Sequence, residues 1–269
     1  MLDRNLNYGE HKIRAAYKVA KLVASLGTLM ANVNGLRLCR RGLLMRAAEA
    51  VMLYCAEVWA EALQKEVCRK RIAAVRRRGA HRIACSYRTV YEPAMLVVAG
   101  VILIDLLVQE RLSVHQQSCV LGKEEASMLA RSTCIDTWHN RWEQEHLGRW
   151  TARLISRLDS WLNREVGEVD FYLTQFLTRH GLFCSYLAKM RKVTDGNCPY
   201  GDSTVDDALH TFFKCVRWSV ERLALEQDLG KISPDNIVEK MLQSQEEWNK
   251  LARYIRTTLR RKKMEMGGT

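Results

Sequence analysis

Proline and long apolar runs are scarce in this sequence. It contains three prolines, Pro93, Pro199 and Pro234, among 269 residues. Because proline interrupts helix interiors, the long stretches between these positions can form continuous helices. The longest apolar run, Ala94 to Ile104, stops at Asp105 and is shorter than the ~20 residues of a membrane-spanning helix. We therefore expect no membrane association, and this run is interpreted as a buried helix.

Signals of secretion and of familiar catalytic sites are also missing. The N-terminus has no apolar signal segment, and the nine cysteines do not follow a disulfide framework. We therefore expect an intracellular protein, nuclear or cytoplasmic, with reduced cysteines. No glycine-rich phosphate loop and no local signature of a Ser-His-Asp or Cys-His site occurs. An independent enzyme therefore has no support in the sequence.

The apolar residues that are present recur mostly at helical spacing, which predicts a mainly α fold. The pattern predicts helices at residues 11–31, 41–63, 65–87, 97–108 and 124–145. A final helix is expected to begin with Ser233 as N-cap and Pro234 in the first turn, and to run to Leu259. The charged end from Arg260 is expected to be a disordered basic tail.

Positive charge is in excess, with 42 Lys and Arg against 30 Asp and Glu and a formal net charge of +12. Such an excess favours a polyanionic partner, with nucleic acid first and an anionic membrane second, although a solvated basic surface gives the same count. The densest stretch lies on the predicted helix 65–87, whose apolar residues form a stripe for docking. Its basic residues predict a nucleic-acid-binding face that contacts phosphates: Arg69, Lys70, Arg71, Arg76, Arg77, Arg78 and Arg82.

A candidate metal site lies near the C-terminal end. Cys198, His210 and Cys215 have the residue types and approximate spacing of a zinc knuckle, but structural zinc takes four ligands. A fourth would come from Cys184, or else from His180 or Asp202. In the alternative, the zinc site is lost, Cys215 and Phe212 are core residues of a short helix, and His210 faces solvent.

Several segments, in order, carry a family resemblance. They are "LNYGEHKIRAAYKVAKLVASLGTLMANVNG", "LYCAEVWAEAL", "YRTVYEPAMLVVAGVILIDLLVQER" and "GRWTARLISRLDSWLNREVGEVDFYLTQFLTRHGLFCSYL". Together with the Cys198 region, they resemble the part that follows the polymerase palm in Pol proteins of type-1 non-LTR retrotransposable elements. The resemblance extends from about Leu6 to Leu225, and the collinear order of the motifs is its strongest feature.

The resemblance implies an architecture in which residues 1–115 form a thumb-like helical bundle and residues 116–196 a helical connector. Residues 197–269 would form a degenerate CCHC-type zinc-knuckle element with a long C-terminal helix and a basic tail. The implied function is to bind RNA and DNA, as an RNA–DNA hybrid or a target duplex, and to assist reverse transcription together with the remainder of a Pol polyprotein. The polymerase palm with its magnesium ions, and the endonuclease, would lie outside this chain, which alone would be inactive.

Departures from the family pattern leave an alternative open. Proline is expected at Ala31, Leu103 and Ser156, glycine at Cys55 and Arg179, and a second knuckle cysteine between Tyr200 and Gly201. Such drift resembles an element copy under relaxed selection. The alternative function is a non-catalytic helical interaction protein, derived from the element, whose basic surface serves solubility or a protein partner and that has no nucleic-acid role. The carboxylates Asp105, Asp206 and Asp207 imitate a polymerase metal site, but the flanking residues lack the two strands that such a site requires.

Overall fold

The computed structural model describes residues 38–54, 56, 60, 66–201 and 204–267, and the fold is mainly α, as predicted. The helix predicted at residues 11–31 lies outside this part of the chain. Among the described residues no strand forms, and an isolated antiparallel bridge joins Asn197 and Val205. No single described helix is both long and apolar enough to cross a bilayer, and only the bent pair of Glu92–Ala99 with Ile104–Leu121 reaches that length and composition together.

The described helices are numbered here in chain order. They are α1 (Leu38–Met52), α2 (Glu66–Ile83), α3 (Glu92–Ala99), α4 (Ile104–Leu121), α5 (Lys123–Gln144), α6 (Arg149–Leu154), α7 (Leu158–Leu162), α8 (Phe171–Thr178), α9 (Cys184–Lys189), α10 (Ala208–Phe213), the 3-10 turn η1 (Val216–Trp218), α11 (Ser219–Leu229), α12 (Ile237–Gln243) and α13 (Gln245–Gly267). The chain divides into two compact units. Met1–Cys85 and Met95–Glu145 form the first, and Ser86–Ala94 and His146–Thr269 form the second.

The first unit is dominated by a helical hairpin of α4 and α5. Gly122, with φ of 82°, forms the turn between them, a backbone conformation that glycine adopts without strain. Helix α5 buries a stripe that includes Trp138 and Trp142, so these rings are core residues and not platforms for bases. Helices α1 and α2 pack so closely that a Cβ on Gly79 would lie 2.3 Å from Met45 Sδ.

The second unit is built around α13, which packs against α8, α11 and α12. Its interior is aromatic, with ring centroids of Phe176 and Phe212 4.9 Å apart and those of Trp161 and Trp248 6.2 Å apart. Trp218 is buried as well. Packing of these rings stabilises short helices such as α8 and α10, which would be marginal in isolation.

Several expectations about helices change in the structure. Helix α1 ends at Met52, well before the end of the helix predicted at residues 41–63, and Asn236, not Ser233, is the N-cap of α12. The predicted final helix is two helices, because the chain breaks at Ser244, where the Ser244 Oγ accepts the Glu247 N–H at 3.1 Å. The expected disordered tail is wrong, since α13 continues through it to Gly267. The helix predicted at residues 97–108 is interrupted, since α3 ends at Ala99 and α4 begins at Ile104.

Candidate metal centre and basic helix

The structure brings Cys198, His210 and Cys215 together. Their ligand atoms all lie within 4.8 Å of one another, and the two Sγ atoms are 3.8 Å apart. All three side chains are buried. The sequence prediction that these residues converge is confirmed by this geometry.

Backbone hydrogen bonds hold the three residues in place. The Cys198 N–H donates to the Thr204 carbonyl at 2.8 Å, which closes the loop between them. His210 lies in the first turn of α10, where its N–H donates to the Asp207 carboxylate at 2.8 Å in an N-cap. The Cys215 N–H donates to the His210 carbonyl at 2.8 Å, so the turn after α10 returns the second thiol to the first.

The residues that surround the three candidate ligands are of the kind found around metal centres. The His210 Nδ1 lies 2.9 Å from Thr204 Oγ1, which orients the ring and favours the Nε2 atom as the ligand. Trp218 and Tyr200 pack against the cysteines, with ring centroids 5.9 Å apart. Two thiolates and an imidazole form a soft donor set that suits Zn²⁺. The residues present therefore fit zinc, although His210, Cys198 and Cys215 supply three of the usual four ligands.

The fourth ligands considered from sequence lie elsewhere or are not described. Burial and the nearby Asp206 carboxylate raise the pKa of the Cys184 thiol to about 11. The His180 Nδ1 lies 2.6 Å from the Thr178 carbonyl, and the His180 ring packs against aromatic rings. Asp202 lies outside the described residues. The alternative in which His210 faces solvent is wrong, because this side chain is buried.

Sequence reasoning missed a buried ion pair beside the cluster. Lys262 is fully buried, and its Nζ lies 2.6 and 2.5 Å from the carboxylate oxygens of Asp206 and 3.1 Å from Thr211 Oγ1. The Asp206 carboxylate also accepts the Cys184 N–H at 2.7 Å. A signal for Lys262 did exist, since it continues the helical spacing of the apolar stripe that ends at Leu259.

Asp207, which follows Asp206 in the chain, also has a structural role. Asp207 caps α10 and forms an ion pair with Arg179. Asp105 pairs with Arg141, with 2.6 Å between Asp105 Oδ2 and Arg141 Nη1. These carboxylates are held by cations and backbone groups of the fold.

The basic side chains of helix α2 are divided between the protein interior and the surface. Arg76 is 2% exposed, and its Nη2 lies 2.9 Å from Glu49 Oε1 and donates to the Ile102 carbonyl. Burial lowers the pKa of Arg76, against the opposing effect of Glu49. This arginine ties α2 to α1 and to the segment before α4, so it is a core residue and does not contact phosphates.

The surface of α2 carries the remaining cations. Arg77 and Arg78 are exposed, and Arg82 is half-buried at the end of the helix. Lys70 is exposed and pairs with Glu66 one turn earlier, at 2.6 Å. Arg69 and Arg71 lie on the same helix, and their side chains are outside the described part. The predicted nucleic-acid face therefore keeps exposed positive charge without Arg76.

Comparison with known proteins gives one informative similarity. No protein-family model matches the chain, and no solved structure matches it. The chain is 28% identical over 231 residues to a protein from Nasonia vitripennis described as "Retrovirus-related Pol polyprotein from type-1 retrotransposable element R1 2". The match covers 80% of this chain and 56% of the relative, so the chain spans little more than half of that protein. Over most of its length the chain is therefore similar to a region of a retrotransposon Pol polyprotein.

Proposed function

We propose that this chain is a C-terminal, nucleic-acid-binding region of a non-LTR retrotransposon Pol protein. It holds RNA and DNA, as a hybrid or a target duplex, while the polymerase palm and the endonuclease, which lie outside it, perform the chemistry. The observation that carries the proposal is the similarity to a Pol polyprotein over 80% of the chain. On this account the chain alone does not polymerise nucleotides.

The positive charge on α2 supports the proposal and indicates which residues would contact nucleic acid. Arg77 and Arg78 are adjacent and exposed on a helix whose opposite side is fixed in the first unit by Arg76 and Gly79. A rigid helix that presents adjacent guanidinium groups can neutralise backbone phosphates without reading sequence. Lys70 extends the positive surface by two turns.

Binding of a labelled RNA–DNA hybrid duplex, measured by fluorescence anisotropy, tests the proposal. The double variant Arg77→Ala, Arg78→Ala should bind roughly tenfold more weakly than the parent chain, because two phosphate contacts are lost. The matched control is Arg111→Ala, Arg253→Ala, which removes the same charge from exposed arginines on other helices. Equal affinity of the two double variants would exclude α2 as the contact.

We also propose that Cys198, His210 and Cys215 hold a zinc ion that fixes the knuckle, with the fourth position filled by water or by a group beyond the three. The support is the 4.8 Å convergence of the three ligand atoms in a buried site. Because the ligands bind as thiolates and neutral imidazole, metal binding should release protons and weaken as the pH falls.

Cobalt substitution tests this site directly. Addition of Co²⁺ should produce the visible absorption of a thiolate-ligated tetrahedral ion, and Zn²⁺ should displace it. Cys215→Ser should lose the spectrum. Cys184→Ser, at a buried cysteine outside the cluster, should retain it. A cobalt spectrum that survives in Cys215→Ser would place the metal elsewhere.

A second candidate function is a helical protein-interaction module with no nucleic-acid role. The observation that favours it is an exposed apolar stripe on η1 and α11, where Val216, Val220 and Leu223 are 63%, 76% and 58% exposed. Exposed apolar side chains that share one helix face are typical of protein contacts. Failure of the parent chain to bind the hybrid at low salt would favour this function.

A further inference from the structure

A cavity of about 680 Å³ lies in the second unit, and none of its lining residues belongs to the cysteine cluster. It is bounded by the connection between α6 and α7 and by α12. Its walls combine apolar side chains, Leu154, Ile155 and Val238, with the hydroxyls of Ser156 and Ser160. This size and mixture of lining groups are typical of sites for small organic ligands.

Arg164 is the unusual residue of this cavity. Its guanidinium carbon lies 4.0 Å from the centroid of the Trp161 ring, and its Nη1 donates to the Trp161 carbonyl. The Nε atom is buried and makes no hydrogen bond to a described residue. Burial alone lowers the pKa of Arg164 to about 10, and no carboxylate offsets this effect.

The other arginines near the cavity show how Arg164 differs. Arg157 holds both carboxylate oxygens of Asp159, at 3.1 and 2.8 Å. Arg153 holds both oxygens of Asp235, at 2.7 Å each. Among the residues that the structure describes, Arg164 forms no such ion pair. A guanidinium that is largely removed from water and lacks an anion is costly to the fold, and an anionic ligand would offset this cost.

We propose that this cavity binds a small oxyanionic ligand, a carboxylate or a phosphate monoester, whose oxygens accept hydrogen bonds from the guanidinium of Arg164. The planar fork of arginine matches both kinds of oxyanion. The serine hydroxyls can donate to the same group, and the apolar wall receives the rest of the molecule. This site is independent of nucleic-acid binding by α2, so either proposal can fail without the other.

The cavity wall also contains carboxylates, which repel a negatively charged ligand. Asp235 lines the cavity, but Arg153 holds its carboxylate, whereas Glu239 lines the cavity and is exposed. Its carboxylate repels an oxyanion, which limits the affinity of the site and favours ligands with a hydrogen-bond donor or an apolar body beside the anion. Removal of this charge should therefore tighten binding, an effect that a merely structural arginine would not produce.

Isothermal titration calorimetry on the full chain, at fixed ionic strength, tests the proposal with adenosine 5′-monophosphate, inorganic phosphate and benzoate. Binding of the phosphates alone identifies a phosphate site, and binding of benzoate alone identifies a carboxylate site. Ser160→Glu, which places a carboxylate in the cavity at an exposed position, should bind roughly tenfold more weakly than Ser160→Gln, a variant of similar size that also lacks the hydroxyl but carries no charge. Glu239→Gln should bind several-fold more tightly than Glu168→Gln, an exposed control elsewhere.

Arg164→Gln should abolish binding while folding is monitored by circular dichroism. If that variant does not fold, the Ser160 and Glu239 variants still decide the question. The proposal is overturned if none of the three anions binds at ~10 mM, the limit of weak but specific recognition. It is also overturned if binding occurs but is the same in Ser160→Glu and Ser160→Gln.

Discussion

The pair of Lys262 and Asp206 shows, at the scale of single residues, how the region around the cysteine cluster is fixed. The carboxylate receives the Lys262 ammonium, the Thr211 hydroxyl and the Cys184 N–H, so its hydrogen-bonding capacity is used within the fold. A buried ion pair gains little over an apolar pair of the same volume, but it is costly to break from one side. Its role here is to fix how α13 packs against α9 and α10.

Lys262→Met should lower the free energy of unfolding by roughly 3–5 kcal/mol, because the Asp206 carboxylate would stay buried without its cation. Urea unfolding followed by circular dichroism measures this loss. The control is Arg261→Met, which breaks the exposed pair with Glu221 and should cost about 1 kcal/mol or less. Similar losses in both variants would contradict the structural role of Lys262.

Arg179 occupies a position where the family resemblance leads us to expect glycine, and the structure gives the reason. This residue follows α8 with φ of 58° and ψ of 28°, in the left-handed region that glycine adopts without strain. The glycine of the family pattern would adopt this conformation without strain, whereas this chain carries arginine there. The ion pair with Asp207 accompanies the strained backbone.

Two substitutions at this position separate the effect of the backbone conformation on stability from the effect of the ion pair. Arg179→Gly and Arg179→Ala both lose the contact with Asp207, but only glycine relieves the left-handed strain. The glycine variant should be more stable than the alanine variant by roughly 1 kcal/mol. Urea midpoints of the two variants measure the difference, and an alanine variant that is equally stable would contradict the assignment.

Thiol reactivity should follow burial and charge. Burial and Glu110 raise the pKa of Cys134 to about 12, and burial and Asp206 raise that of Cys184 to about 11, while Cys119 is exposed. At pH 8 both buried thiols stay protonated, so iodoacetamide should label Cys119 well before them, as peptide mass spectrometry can show. Since the folded state holds these protons more tightly, stability should also fall as the pH rises above about 9. Equal labelling of the three would be inconsistent with this structure.

Element boundaries were harder to predict than elements. The amphipathic patterns predicted α2 and α5 nearly at their observed bounds, since each buries one continuous stripe. The break at Ser244 was missed because Met241 and Trp248 continue the same apolar spacing across it. Pairing between distant residues, such as Arg76 with Glu49, carries no local pattern, so the sequence could not separate that arginine from its exposed neighbours.

The turn before α8 offers a test at the scale of elements. Gly167 has φ of 78°, and a Cβ at this position would lie 1.9 Å from the Trp248 ring of α13. Gly167→Ala should therefore cost roughly 3 kcal/mol or more, from backbone strain and displacement of the ring.

Gly122→Ala is the matched control, because its φ is also positive, at 82°, but a Cβ there meets no atom within 4 Å. This variant should cost about 1–2 kcal/mol, from the backbone alone. Chemical denaturation compares the two. Equal costs would mean that the Trp248 ring does not pack over Gly167.

For the whole molecule, the sequence predicted the similarity to known proteins better than it predicted the three-dimensional arrangement of the residues. The collinear motifs identified a retrotransposon Pol region, which the similarity to the Nasonia protein supports. The cysteine and histidine spacing predicted a cluster that the fold does assemble. The cavity around Arg164 was not predicted, because its walls come from segments some 80 residues apart, Leu154 and Ser160 on one side and Val238 on the other.

We propose that this chain binds nucleic acid through the surface of α2. The salt dependence of its affinity for an RNA–DNA hybrid duplex tests this proposal most directly. The affinity of the parent chain should fall steeply as salt rises. The slope of log K against log salt should be shallower by about 2 in Arg77→Ala, Arg78→Ala, because each arginine releases about one counterion. A parent chain that does not bind at low salt, or a slope that the double variant leaves unchanged, would contradict the claim.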